Sequence, residues 1–143
     1  TLEGSGDDSK TDASQMEMVR HILAGITFIM DQAETMNLTN SLYIVVGSEF
    51  GRSAYYLPSG SKDNWPITSM VAMGPGIRGG RVVGGTTHQL DPLAVDPDTL
   101  EPKRHGIILT PGHIHASLRN LAGIASHTHS HRFPAGEPLP FFT

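Results

Sequence analysis

Glu49 and Arg52 in "VVGSEFGR", with Asp63 and Asn64 in "GSKDNWP", are of the right type and spacing to share one chemical task. A carboxylate at the end of a strand can hold a hard cation through its oxygens or accept a proton, and a nearby guanidinium can pair with an anionic substrate group. An equally good reading makes Glu49 and Arg52 a structural ion pair that holds their loop.

What decides whether these residues meet is the element order around them. "SLYIVV", leading into Glu49, is a β-branched and aromatic run that reads as a fully buried strand over 42–47. "ITSMVAM" at 67–73 reads as a second strand, and the intervening 48–66 carries Gly51, Pro58, Gly60 and Pro66 but no helical period. A parallel pair needs a structured crossover, so the strands are expected to run antiparallel. Glu49 and the Asp63–Asn64 pair then share one rim of the sheet. Long connections of this kind are usually functional or mobile.

The strands need cover. Met16, Val19, Ile22, Leu23, Ile26, Ile29, Met30 and Ala33 recur at threes and fours, predicting a helix with a capping box at Ser14 and Glu17 and a stop near Asn37. A second helix is expected after Thr110 and Pro111, with Ile114, Leu118, Leu121 and Ala122 as its apolar stripe and Gly123 at its end. A short strand is read at Arg81–Val83 and a Pro- and Asp-rich loop over 88–106. Residues 1–13 read as a flexible acidic segment, and 125–143 as an extended His- and Pro-rich tail.

Other motifs carry less. "GPGIRG" matches a dinucleotide-binding glycine pattern literally, but Arg81, Val82, Val83 and Gly84 do not begin a helix, so it reads as a structural turn. His127, His129 and His131 alternate, and in an extended segment their rings would share a face able to capture Zn, Ni or Cu; the competing reading is a solvated stretch. His113 and His115 lie two apart on a helix and cannot share an ion, which leaves them as polar residues of its first turn. His21 reads as a helix-edge residue, and Trp65 as a packing anchor for the long loop. No Ser-His-Asp arrangement follows from the spacing.

The 143 residues suffice for one core of ordinary size, and a formal charge of −4 removes the electrostatic footprint of a nucleic-acid binder. No apolar stretch is long enough to span a bilayer. Cysteine is absent, which excludes thiolate zinc sites, disulfides and a Cys nucleophile. The chain opens on Thr1 without a signal pattern, and is expected to be a mature product or a fragment.

"VVGSEFGR", "GSKDNWPITSMVAMGPGIRGGRVVGGTT" and "ILTPGHIHASLRNLAGI" occur in an order that resembles the C-terminal part of a bacterial family, domain of unknown function 1501. That family is similar to the alkaline phosphatase and sulfatase superfamily. The resemblance runs from about Met16 to Ile124. It implies an α/β fold over 14–124: a mixed sheet with flanking helices, the C-terminal segment of a three-layer sandwich. One or two divalent metals (Zn, Ca, Mg or Mn) would activate a nucleophile and steady the transferred oxyanion.

Carried over by position, the resemblance makes Glu49, Asp63 and Asn64 metal-site residues and Arg52 a substrate-binding residue. Phe50 and Asn64 stand where imidazoles are expected, and an amide oxygen suits calcium better than zinc. The nucleophile and further ligands would precede residue 1, so no catalytic residue is expected in this segment, and the partner it needs is the missing N-terminal part. The implied function is an exported phosphoester or sulfoester hydrolase, periplasmic or extracellular through a twin-arginine signal and acting on an anionic ester. The alternative is a binding or structural member of the same fold.

Overall fold

The three-and-four spacing of apolar residues from Met16 onward forms the helix it predicts, α1 (Asp12–Thr35), in a computed structural model that describes residues 12–142. Its first turn differs from expectation. The helix begins at Asp12, so Ser14 lies inside it rather than capping it, and Glu17 instead pairs sideways with Arg20 (3.5 Å) and His21 (3.2 Å). Positions 1–11 of the expected acidic segment lie outside the described residues, while Asp12 and Ala13 are helical. The stop is as expected: Asn37 adopts φ 56°, and Leu38 N–H donates to the Ala33 carbonyl (2.7 Å) while Asn37 N–H donates to Glu34 (3.0 Å). This left-handed closure satisfies carbonyls that the helix end would otherwise orphan.

The chain then makes β1 (Ile44–Gly47), β2 (Gly51–Arg52), β3 (Asn64–Trp65) and β4 (Met70–Met73). β1 pairs with β4 antiparallel, Ile44 opposite Met73 and Gly47 opposite Met70, and β2 pairs with β3 antiparallel, Gly51 opposite Trp65 and Arg52 opposite Asn64. The antiparallel expectation therefore holds, with strands shorter than the sequence suggests. The expectation of a fully buried first strand does not hold. Ile44 and Val46 are half-buried and Val45 is exposed, the alternation of a two-stranded ribbon with one covered face.

The contacts divide the chain into two compact units, Thr1–Pro75 and Gly76–Thr143. The second unit has α2 (Pro111–Leu121), α3 (Thr128–Arg132) and a long folded loop before them. α2 follows its sequence signals closely. Thr110 caps it, Pro111 opens it, and His113 sits at the third helical position, where its Nδ1 accepts the Thr110 N–H (3.1 Å). Gly123 at φ 69° closes it, with Ile124 N–H donating to Arg119 (2.9 Å).

Arg81–Val83 forms no strand. Val82 is 93% exposed, and the Arg81 guanidinium instead donates to the carbonyls of Pro140 (3.1 Å) and Phe141 (2.7 Å). The expected extended tail also needs correction: Thr128–Arg132 is a helical turn, with His127 capping it by accepting the His129 N–H (3.3 Å). A tail of alternating Ser, Thr and His has weak helix propensity, so its local hydrogen bonds decide the conformation. Farther on the tail packs rather than drifts. Buried Ser117 accepts the Leu139 N–H (2.8 Å), its hydroxyl reaches the His113 and Leu139 carbonyls (2.8 and 3.0 Å), and Phe141 is buried.

The 88–106 loop is organised around Val95, which is 0% exposed and exchanges both backbone hydrogen bonds with Ile107 (2.9 and 2.8 Å). Asp96 next to it ties the loop. One carboxylate oxygen accepts from the Asp98 and Thr99 amides (2.9 and 3.1 Å) and the other from Lys103 Nζ (2.5 Å). The Lys103 hydrogen bond, then those amides, lower the Asp96 carboxyl from 3.8 to about 2. A carboxyl that binds protons more weakly folded than unfolded stabilises the fold above its unfolded titration range, and that stabilisation disappears as pH falls through the folded value. The thermal midpoint should therefore drop between about pH 4 and about pH 2. In Asp96→Asn the drop over that window should be shallower and the midpoint at neutral pH lower, measured by circular dichroism melts across the pH series.

Candidate functional site

β2 and β3 set the site. Their ladder puts Arg52 opposite Asn64, so that the guanidinium Nη1 donates to the Asn64 amide oxygen (2.9 Å) and to the Lys62 carbonyl (3.2 Å). The same guanidinium lies 5.4 Å from the centre of the Phe50 ring. One step along, Ser53 N–H donates to the Asp63 carbonyl (2.9 Å) and Ser53 Oγ accepts the Asp63 N–H (3.1 Å) while donating to the Tyr55 carbonyl (2.8 Å). Ser53 is buried, as is Ser61 at the far side of the loop. Leu57 N–H donates to Ser61 (2.7 Å) and Gly60 N–H donates to Leu57 (2.9 Å), which closes the loop on itself. The stretch that lacks any period in the sequence is thus a folded structure held by backbone and hydroxyl hydrogen bonds.

Sequence reasoning placed Glu49 and the Asp63–Asn64 pair on one rim, with Arg52 as an anion-binding candidate. The structure brings Arg52, Asp63 and Asn64 together and leaves Glu49 exposed in the turn between β1 and β2. The Glu49 carboxylate has no hydrogen-bond or ion-pair partner among the described residues, so the Glu49–Arg52 ion pair does not form. Asp63 uses one carboxylate oxygen on the Asn64 N–H (2.8 Å), which leaves its other oxygen facing outward chemistry. Trp65 is half-buried in β3 opposite Gly51, consistent with a packing role.

A divalent ion fits this arrangement poorly at Asn64, because the guanidinium on its amide oxygen sets a positive charge where the ion would sit. Glu49 and Asp63 retain hard oxygen donors of the kind Ca²⁺ or Mg²⁺ takes. Among the described residues no group of three or more His, Asp and Glu side chains is gathered closely enough to hold a metal. Two carboxylates alone do not close a coordination shell, so no chemical step is drawn through a metal from this chain.

The sequence-based reading missed Ser53 and the part played by Gly51. A Cβ at Gly51 would lie 2.0 Å from the Ile67 carbonyl oxygen, so β2 reaches its partner strand only because this residue has no side chain. A glycine interrupting a strand-like run is the signal that could have revealed it. Compared with known proteins, the chain matches no family model, no curated protein and no solved structure.

Gly51→Ala should destabilise the chain by about 2 kcal/mol, because a backbone carbonyl cannot yield to the added methyl as a side chain would. Chemical denaturation measures the loss. Faster hydrogen exchange at the Ser53 and Asp63 amides should accompany it, since these two residues bond to each other across the ladder that the methyl pushes apart.

Proposed function

We propose that this chain is the C-terminal portion of an alkaline-phosphatase- and sulfatase-like protein, a segment of a three-layer α/β sandwich that the preceding part of the same polypeptide completes. The observation that carries the reading is the apolar face of α1. In layered α/β folds a helix buries one stripe against a sheet. Here Met16, Val19, Leu23, Ile29 and Met30 are exposed, Leu23 by 57%. In the first unit Ala33 is the one apolar side chain that is buried among the described residues. So little burial leaves a unit of this size marginally stable, which supports a covering layer supplied from elsewhere in the protein.

In the complete protein the reaction is hydrolysis of an anionic phosphoester or sulfoester, with Glu49 and Asp63 as this segment's acidic contribution and the nucleophile supplied from the preceding part. A divalent metal would draw on these carboxylates as single oxygen ligands, the rest of its shell coming from outside this chain. Arg52 orients the edge of the site through Asn64 and contributes positive potential toward an anionic substrate. Export to the periplasm or cell exterior belongs to the same proposal and rests on the family resemblance. No helix among the described residues is long and apolar enough to cross a membrane.

The engagement of Asn64 by Arg52 favours a second reading, a member of the same fold that binds or scaffolds without turnover. The two separate in the complete polypeptide. The hydrolase reading expects bound divalent metal by elemental analysis and turnover of an aryl phosphate or aryl sulfate that falls at least about tenfold in Glu49→Gln. Full metal-free purity with no turnover of either ester leaves the scaffold reading.

The structural part of the proposal has its own test. Leu23→Ala should alter the stability of this 143-residue chain by less than about 0.5 kcal/mol, as for an exposed position. In the complete protein it should cost about 2–4 kcal/mol, as for a buried leucine. Equally small losses in both contexts would overturn the covering layer.

A further inference from the structure

The charge of the chain is unevenly spread. Positions 102–136 contain no Asp or Glu, yet hold Lys103, Arg104, Arg119 and Arg132 together with His105, His113, His115, His127, His129 and His131. Within this cationic stretch, Arg119 of α2 and the α3 segment border a cleft of about 400 Å³ lined by Arg119, Ile124, His127, His129 and Ser130. No carboxylate lines it. A concave site with a guanidinium, two imidazoles and no competing acid has the composition that oxyanions select.

The hydrogen bonds sort the donors. Arg119 Nη1 is used inside the fold, donating to the Ser130 and Phe133 carbonyls (3.2 and 2.6 Å), and the rest of the guanidinium has no partner among the described residues. Ser130 Oγ is likewise committed, donating to the Ile124 carbonyl (2.7 Å). His127 accepts the His129 N–H on Nδ1, so in its neutral form the ring proton sits on Nε2, ready to donate outward. The His127 and His129 rings stack with centroids 5.3 Å apart and an interplanar angle of 22°. Among the described residues no group of three or more His, Asp or Glu side chains gathers here to hold a metal ion. Both imidazoles line the same cleft and each can bring an N–H donor to an anion there.

We propose that Arg119, His127 and His129 form a binding pocket for a tetrahedral oxyanion, a phosphate or sulfate group, in the second unit of the chain. Arg119 contributes a fixed charge and the paired imidazoles contribute directed donors. The charged and titratable groups facing the anion are Arg119 from α2 and His127 and His129 from the α3 segment. The pocket stands apart from the hydrolase reading, because it uses none of the residues assigned there.

The test follows the histidine ring signals of the 143-residue chain by two-dimensional carbon–proton NMR during titration with inorganic phosphate, against sodium chloride at equal ionic strength. His127 and His129 should shift saturably at constant pH, ahead of the other histidines. His129→Gln, whose side chain holds no part of the fold together, should weaken binding severalfold while backbone amide signals elsewhere stay in place. Arg119→Gln should weaken it about tenfold or more, with Arg119→Lys recovering part of the loss. Phenyl phosphate binding more tightly than inorganic phosphate assigns the pocket to an esterified group, and the reverse assigns it to the inorganic ion. A response that does not saturate, or one shared equally by all eight histidines and matched by chloride, overturns the proposal.

Discussion

The closeness of the Gly51 backbone to the Ile67 carbonyl is the constraint on which the first unit is built. It lets residues 44–52 run beside 64–73 as two short ladders of one antiparallel course, interrupted where β1 turns into β2 and β3 into β4. Because antiparallel neighbours need no crossover, the chain between them is free to close as a loop, and it does so through the buried hydroxyl of Ser53 rather than through apolar packing. The position of Arg52 opposite Asn64, and with it the electrostatics of the candidate site, follows from that register. A slip by one residue would send the guanidinium to the other face.

That register also reshapes the chemistry suggested by residue types. An asparagine beside an aspartate reads as a weakened metal-binding pair when only identities are known. Placed across a ladder from an arginine, the same amide becomes an acceptor for a guanidinium. The local field is then more hospitable to an anion than to a cation. Glu49, two residues beyond the end of β1, is held by no such pairing.

Much of the fold was legible where a signal is local and periodic. The α1 stripe, the Thr110–Pro111 start of α2, and the left-handed closures at Asn37 and Gly123 depend on a few neighbouring residues and were readable from them. The antiparallel sense was legible too, from the absence of a crossover. What escaped depends on partners distant in sequence. Arg81 lies in a β-like triplet but is claimed by carbonyls near the C-terminus, and Ser117 looks like an ordinary helical serine until Leu139 returns to it. The histidine stretch was read by alternation, while a single turn of helix stabilised by His127 sets its shape. At the candidate site, Asp63 and Asn64 were expected on a rim with Glu49, and it is the β2–β3 register that sets Asn64 against Arg52 instead.

The grip of Arg81 on Pro140 and Phe141 joins positions 59 and 60 residues apart. A ribosome releases the chain from its N-terminus, and the exit tunnel withholds the residues most recently added. The second unit therefore cannot lock until Pro140 and Phe141 have left the tunnel, whereas each contact of the β2–β3 loop is available much earlier. Folding is thus ordered in time by where one arginine finds its carbonyls, and a nascent chain stalled before Pro140 would emerge with its C-terminal unit unfastened.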